Sequence, residues 1–195
     1  NEYGINEYED YVLKTWDEFY KIIDIKIIGF PVWSDEFGKT YDISHYPKWK
    51  QNFIIKNREL YIRNKKAIDK WLVDFKVHSL KKTHRKFEWQ AGNSINSIFE
   101  GIIQFRPSGV RVKKPDYAPT LVAMAHVPII GKYKRYITPI EASKLQSLPD
   151  NFQFDSVGKD IYRLLGNAVN VEVIYQVVRN FIQSVETSIN KKYGG

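Results

Sequence analysis

Residues 135–150 of this 195-residue chain read RYITPIEASKLQSLPD, and they contain the clearest helix start in the sequence. The hydroxyl of Thr138 can accept a hydrogen bond from the backbone of Glu141, whose carboxylate can accept one from the backbone of Thr138; this is a capping box. Pro139 stands at the first helical position, where its missing N–H is no loss. The pattern predicts a helix from Thr138 to about Ser147, ended by Pro149.

The periodicity of apolar residues outside this stretch predicts further elements. Helical spacing predicts three more helices, at residues 6–23, 57–75 and 168–190. An isoleucine-rich run before a proline predicts a strand at residues 24–30. Residues 76–130 contain short apolar runs separated by glycine and proline, which is typical of a small, irregular β-rich unit. The sequence therefore predicts an α+β protein with a β-rich domain, flanking helices and a long C-terminal helix.

The charge of the chain is positive and unevenly distributed. Thirty Lys and Arg residues against 22 Asp and Glu residues give a net charge of +8. The first 25 residues are acidic, whereas residues 48–88 are strongly basic. A basic body of this kind favours a polyanionic partner, first of all a nucleic acid. A basic protein that is merely soluble remains an open alternative.

Several kinds of chemistry are not visible in the sequence. The chain has no cysteine, which excludes disulfides, cysteine-ligated metal sites and a cysteine nucleophile. Its four histidines lack metal-ligand spacing, and no phosphate-binding glycine loop occurs. We therefore expect no catalytic residue and no metal site in this chain. No apolar run is long enough to span a bilayer and no signal peptide opens the chain, so we expect a cytoplasmic protein without a membrane partner.

Residues 104–114, with the sequence QFRPSGVRVKK, form the first candidate DNA-binding segment. Arginine can contact guanine with two hydrogen bonds, glycine permits close backbone approach and positive φ, and lysine suits phosphates. The candidate DNA-contacting residues are Arg106, Ser108, Gly109, Arg111 and Lys113. A solvated hairpin is an equally open interpretation. A second basic run, at residues 81–86, is open to the same two interpretations.

Two longer motifs are more specific. Residues 135–150 resemble the ninth conserved motif of DNA (cytosine-5) methyltransferases, and residues 162–169, YRLLGNAV, resemble the tenth. Their order and spacing also resemble the family. Pro119-Thr120-Leu121 resembles the Thr-Leu element of the family's target recognition domain, which adds Thr120 and Leu121 to the candidate DNA-binding residues.

The resemblance implies a role for only part of such an enzyme. In the family, a large lobe binds S-adenosylmethionine and carries the cysteine nucleophile, while a small lobe recognises DNA, and the target cytosine is flipped out of the duplex. This chain has no cysteine and lacks the cofactor-loop glycines and the Glu-Asn-Val motif. The resemblance thus implies a C-terminal portion, either a fragment or the small subunit of a split enzyme, which is inactive alone.

The resemblance also implies a division of the chain and a role for each motif. We expect a connecting helix at residues 1–25, a target recognition domain at 26–130, the ninth-motif region at 131–160, and the tenth-motif segment with its helix at 161–195. The motif residues expected to be structural are Arg135, Thr138, Glu141, Gln146, Pro149 and Gly166, of which Gly166 would let the backbone turn into the last helix.

Asn167, Ala168 and Val169 would complete the S-adenosylmethionine pocket of the missing Rossmann-like lobe. The alternative, which remains open, is that Asn167 only caps the first turn of the last helix. The apolar stripe of the last helix would dock on that lobe, unless it closes the core of this chain.

The predicted function is sequence-specific binding of double-stranded DNA for a bacterial methyltransferase of restriction-modification type. Joined to an N-terminal catalytic portion, its other partner, the chain would take part in methylating a flipped cytosine from S-adenosylmethionine. We expect a cytoplasmic, nucleoid-associated protein. The alternative is a stand-alone DNA-binding module or regulator derived from a methyltransferase, without catalysis.

Overall fold

A computed structural model describes residues 2–123, 126–154 and 159–193. The chain divides into two compact units. Unit 1 comprises Asn1–Pro119 and Pro128–Tyr136, and unit 2 comprises Thr120–Val127 and Ile137–Gly195. Both helices and strands are present, which confirms the predicted α+β class.

The described residues of unit 1 form a six-stranded sheet. Its strands are β1 (Val32–Trp33), β2 (Lys86–Gln90), β3 (Ile102–Arg106), β4 (Gly109–Lys113), β5 (Ile129–Ile130) and β6 (Arg135–Tyr136). The order across the sheet is β1-β2-β4-β3-β5-β6, and only the β2–β4 pair is parallel. Four of these strands lie within residues 76–130, so the predicted β-rich unit is confirmed.

Three α-helices pack in unit 1: α1 (Glu7–Ile22), α2 (Lys48–Arg63) and α3 (Lys65–Asp74). The predicted helix at 6–23 is confirmed as α1, and Asn6 caps it through a capping box with Glu9. Its Trp16 is fully buried, and the indole stacks on Phe87 of β2 with ring centres 4.9 Å apart. Helix α1 is thus part of the unit 1 core, whereas the resemblance implies a separate connecting helix at residues 1–25.

The predicted strand at residues 24–30 is wrong, because no regular strand forms there. The segment is fixed instead by local contacts, in which the hydroxyl of Tyr20 donates to the carbonyl of Lys26 at 2.9 Å. The helix predicted at 57–75 also differs, since it begins at Lys48 and is interrupted at Asn64. The Asn64 side chain donates to the carboxylate of Asp24 and accepts from its backbone amide, which joins the helix break to the irregular segment.

Unit 2 contains α4 (Pro139–Leu145), α5 (Lys159–Asn167) and α6 (Val171–Tyr193). The predicted capping box of α4 is confirmed: Thr138 Oγ1 accepts from Glu141 N at 3.2 Å, and Glu141 Oε2 accepts from Thr138 N at 2.8 Å. Helix α4 ends before Ser147, whose φ of 56° breaks the helical conformation. The sequence pattern does not predict helix α5, although its residues 162–167 lie within the tenth motif, which was located by its residue types alone.

Helix α6 confirms the predicted C-terminal helix, but its apolar stripe is exposed. The side chains of this stripe are 40–67% exposed; they are Val173, Ile174, Val177, Val178, Phe181, Ile182 and Val185. The alternative in which this stripe closes the core of the chain is therefore wrong for the described residues. None of the helices in these residues has the length and apolar character needed to cross a membrane.

Candidate functional site

The β3–β4 hairpin carries most of the predicted DNA-binding residues. Arg106 pairs with Gly109, so Pro107 and Ser108 form an exposed two-residue turn. Gly109 has φ 136°, and a Cβ placed on it would lie 2.6 Å from the carbonyl oxygen of Lys86. Glycine is therefore required by close approach to the neighbouring strand β2, and the predicted positive φ is confirmed.

Arg111 is held within the sheet. Its Nε donates to Oε2 of Glu88 at 2.7 Å, and its Nη2 lies 2.6 Å from the same oxygen. Their side chains are only 19% and 14% exposed. By contrast, the buried Nε of Arg106 has no hydrogen-bond partner among the described residues. The ammonium of Lys113 lies 5.2 Å from the ring centre of Tyr117. Arg106 and Lys113 are thus the cations of the hairpin without an ion pair among the described residues.

The two Thr-Leu residues belong to unit 2, whereas the hairpin belongs to unit 1. Thr120 is exposed and Leu121 is half-buried. The backbone that follows them runs directly against α5, since a Cβ placed on Gly166 would lie 2.2 Å from the carbonyl carbon of Val122. Gly166 lies inside α5 and permits the close packing of two backbones, so the predicted turn into the last helix at this residue is wrong.

Gln146 of the ninth motif holds the tenth motif in place. The side chain is buried, and its Nε2 donates to the carbonyl oxygen of Leu165 at 2.7 Å and to that of Ala168 at 3.4 Å. The backbone carbonyl of Gln146 also accepts from Val171 N at 3.0 Å. Both ends of the α5–α6 connection are therefore fixed by one residue.

The residue that caps α6 is Asn170. Its Oδ1 accepts from Val173 N at 3.0 Å, and its Nδ2 donates to the carbonyl of Leu145 at 2.9 Å. Asn167 is the last residue of α5 and is exposed, so the alternative in which Asn167 caps the last helix is wrong. Sequence reasoning missed Asn170, although an asparagine three residues before Val173 at the start of a periodic apolar run is an N-cap signal.

The remaining motif residues stabilise local structure. Arg135 lies in β6 and donates to the carbonyl of Tyr136 at 3.0 Å, while the hydroxyl of Tyr136 donates to Glu9 of α1 at 2.6 Å. Burial, together with the Glu9 carboxylate, raises the pKa of Tyr136 well above its ordinary value. Pro149 begins a turn in which its carbonyl accepts from the amide of Phe152.

The three candidate cofactor residues lie on one exposed edge. Asn167, Ala168 and Val169 are exposed, and α6 begins two residues after them, at Val171. Within the described residues, no cluster of three or more His, Cys, Asp or Glu side chains is arranged to hold a metal ion.

Comparison with known families identifies the class of protein. The sequence model of the C-5 cytosine-specific DNA methylase family matches residues 14–183, which include both motifs and most of each unit. The chain therefore belongs to the C-5 cytosine-specific DNA methylase family.

Curated relatives are type II methyltransferases. The chain is 33% identical over 140 residues to M.AluI of Cellulosimicrobium cellulans, a match that covers 70% of the chain and 27% of the relative. It is 29% identical over 107 residues to M.HgiCI of Herpetosiphon aurantiacus, covering 55% of the chain and 24% of that protein. It is 40% identical over 73 residues to M.NlaIV of Neisseria lactamica, covering 36% and 17%. The chain thus matches about a quarter or less of the length of these relatives, and no solved structure gave a significant match.

Proposed function

We propose that this chain is the DNA-recognition portion of a DNA (cytosine-5) methyltransferase of restriction-modification type. In the complete enzyme, an N-terminal catalytic portion would transfer a methyl group from S-adenosylmethionine to a flipped cytosine. The chain is then either a fragment of a single-chain enzyme or the small subunit of a split one. The observation that carries the proposal is the exposed apolar face of α6, a helix that begins at Val171, shortly after the exposed residues 167–169.

The apolar face of α6 is the proposed contact with the catalytic portion. Ile174, Val178 and Ile182 follow one another at intervals of four, and Val177 and Phe181 form a parallel row, so one side of the helix is apolar. Burial of each such side chain stabilises an assembly by about 1.5–3 kcal/mol. A contiguous exposed patch of this kind marks an interaction site and promotes aggregation in a stand-alone protein, which disfavours the regulator alternative.

The edge formed by Asn167, Ala168 and Val169 is the proposed contribution to the cofactor pocket. The amide of Asn167 offers two donors and one acceptor, and the small side chain of Ala168 leaves room beside it. S-adenosylmethionine, when bound, supplies the methyl group. The part played by this chain is to close one side of the pocket and to hold that side in place through Gln146.

The hairpin of unit 1 is the proposed DNA-reading element. Arg106 is positioned beside the exposed Pro107–Ser108 turn, where a guanidinium can reach a base edge, and Lys113 suits a phosphate. Arg111 supports the hairpin through its ion pair with Glu88. Because the family's nucleophile is a cysteine and this chain has none, we propose that it does not transfer methyl groups alone.

Assembly tests the proposed contact. The N-terminal catalytic portion, recognised in the coding sequence by its Pro-Cys and Glu-Asn-Val motifs, is mixed with the chain and examined by sedimentation velocity. We expect a one-to-one complex that Val177→Asp abolishes and that Gln183→Asp, with the same charge on the opposite side of α6, leaves intact. A complex that tolerates Val177→Asp equally well would contradict the proposal.

DNA binding tests the proposed hairpin function. Arg106→Ala in the assembled protein should cost about 1–3 kcal/mol of binding to the cognate site and relax specificity at one base pair. Lys113→Ala should weaken binding to all duplexes and reduce the salt slope by about 1. Lys66→Ala, on the exposed surface of α3, removes the same charge elsewhere and serves as the control. Unchanged duplex binding in both hairpin variants would place recognition elsewhere.

A further inference from the structure

Unit 1 has a cleft lined in part by residues at the start of β2. This cleft has a volume of about 530 Å³. We call it the tryptophan cleft; its aromatic and cationic lining residues are Trp33, Tyr46, Trp49, Lys50, Arg85 and Lys86. The volume is large enough for one nucleotide, and the indole of Trp49 is 59% exposed.

The strand register connects the tryptophan cleft with the hairpin. Trp33 pairs with Lys86 across β1 and β2, and the next position of β2 pairs with the residue after Gly109 in β4. The carbonyl of Lys86 is the atom that a Cβ on Gly109 would strike, at 2.6 Å. The cleft and the Pro107–Ser108 turn therefore lie at the same end of the sheet, within one unit.

The aromatic walls of the cleft are held in place by a shared neighbour. Trp33 and Trp49 each contact Phe53 edge-on, with ring centres 5.8 Å and 6.0 Å apart. An indole restrained by such packing loses little further side-chain entropy on binding, and Trp49 remains 59% exposed. The two rings are thus prepared to stack on a planar group.

The electrostatics of the cleft favour an anion. Its two acidic residues are already paired with arginines, since Asp35 lies 3.1 Å from Arg85 and Glu36 lies 3.6 Å from Arg58, which does not line the cleft. Lys50 lies over the ring of Tyr46, with its ammonium 3.5 Å from the ring centre. Lys50 and Lys86 therefore leave an excess of positive charge beside the aromatic faces.

We propose that the tryptophan cleft binds one unstacked nucleotide of a DNA strand, with its base against Trp49 and its phosphate near Lys50 and Lys86. Aromatic stacking combined with neighbouring cations is the recurrent way in which proteins hold single-stranded nucleic acid without reading its sequence. The inference rests on the proposed function in one respect, namely that DNA is the polyanion which unit 1 meets. It assigns the cleft a strand-holding role separate from base reading by Arg106.

The test uses the 195-residue chain and two fluorescent probes, a dodecamer of thymidylate and a blunt 20-base-pair duplex. We expect Trp49→Ala to weaken binding of the single strand roughly tenfold and binding of the duplex less than twofold. Trp49→Phe, which keeps an aromatic face, should restore most of the affinity. Arg106→Ala should weaken binding of the duplex more than binding of the single strand. Tyr133→Ala removes an exposed aromatic ring outside the cleft and is the control.

A dodecamer with abasic sites separates stacking from simple charge attraction. The proposal predicts that the wild-type chain binds it as weakly as Trp49→Ala binds the thymidylate strand. Equal affinity for the abasic and thymidylate strands, or no effect of Trp49→Ala on the thymidylate strand, would overturn the inference while leaving the proposed function intact. Trp49-dependent binding of the single strand without any duplex binding would support the cleft and contradict the proposed function.

Discussion

The side-chain amide of Gln146 donates a 2.7 Å hydrogen bond to the backbone carbonyl of Leu165. The ninth-motif segment thereby fixes the last turn of the helix that ends in the tenth motif. The same residue accepts a backbone hydrogen bond from Val171, the first residue of α6. One buried glutamine is therefore hydrogen-bonded both to the end of α5, beside the proposed cofactor residues, and to the start of α6, the proposed docking helix.

Gln146→Ala should lower the free energy of unfolding of unit 2 by about 1–3 kcal/mol, because it leaves the Leu165 carbonyl buried without its donor. Far-UV circular dichroism during urea unfolding measures the effect on the helices. Tryptophan fluorescence provides the comparison, since all five tryptophans precede residue 90 and report on unit 1. Gln176→Ala, an exposed glutamine of α6, is the matched control, and equal losses in the two variants would contradict the assigned role.

Gly166→Ala should destabilise unit 2 although alanine is the better helix former. The new methyl group would lie 2.2 Å from the backbone of Val122, and such overpacking costs about 1–3 kcal/mol. Gly29→Ala is the control, because no atom lies within 4 Å of the position of its Cβ. Thermal unfolding measures both variants, and a Gly166→Ala chain as stable as the control would show that Val122 does not pack on α5 as described.

Local signals predicted elements correctly where short-range physics determines them. The capping box of Thr138 and Glu141 and the acidic, amphipathic α1 both carry their own start signals, and both helices form as predicted. The strand expected at residues 24–30 fails because a strand needs a partner, and β-propensity alone does not supply one. Long-range contacts such as Arg111 with Glu88 across β4 and β2 depend on register, which the sequence pattern did not reveal.

In the candidate site, too, residue types predict some features, whereas others depend on tertiary contacts. The tenth motif was located from its residue types, but its helical conformation and the tight packing of Gly166 follow from tertiary contacts. The sequence leaves helix capping by Asn167 only as an alternative to its cofactor role, and it is Asn170 that caps α6. The tryptophan cleft was not foreseen, because Trp33, Trp49 and Lys86 come together only when β1 pairs with β2.

The stability of unit 1 should depend on the protonation of His84. Its ring stacks on Tyr8, and Nδ1 lies 3.1 Å from the Tyr8 hydroxyl. Burial lowers the pKa of His84, the charge of Lys81 adds to this, and Glu9 opposes it. The unfolded chain, with an ordinary histidine pKa of about 6.5, therefore binds the proton more readily, so the stabilising contribution is present above about pH 6.5 and is lost as the pH falls below it.

His84→Gln should therefore flatten the fall in free energy of unfolding between about pH 7.5 and pH 5.5, measured by urea titration with tryptophan fluorescence. His78→Gln, at an exposed histidine, is the control and should keep the wild-type slope. If the free energy of unfolding depended on pH identically in both variants, His84 would not be the residue responsible for the pH dependence.

Asn170→Ala should change the stability of the chain, whereas Asn167→Ala should change the affinity of the assembled enzyme for S-adenosylmethionine. Asn170→Ala removes the cap of α6 and should lower stability by about 1 kcal/mol. Asn167→Ala should leave the thermal stability and DNA binding of the chain unchanged, yet weaken S-adenosylmethionine binding to the assembled enzyme, measured by calorimetry. Unaltered cofactor affinity in Asn167→Ala would remove Asn167 from the proposed pocket.

Transfer of a labelled methyl group from S-adenosylmethionine to duplex DNA tests whether this chain and an N-terminal catalytic portion together form one methyltransferase. The measurement compares the chain alone, the N-terminal catalytic portion alone, their mixture, and the mixture with Phe181→Asp in the exposed face of α6. We expect labelled cytosine only in the mixture, and a loss of at least tenfold in the Phe181→Asp mixture because the apolar contact is broken. Labelling by the chain alone, or full activity with Phe181→Asp, would contradict the account.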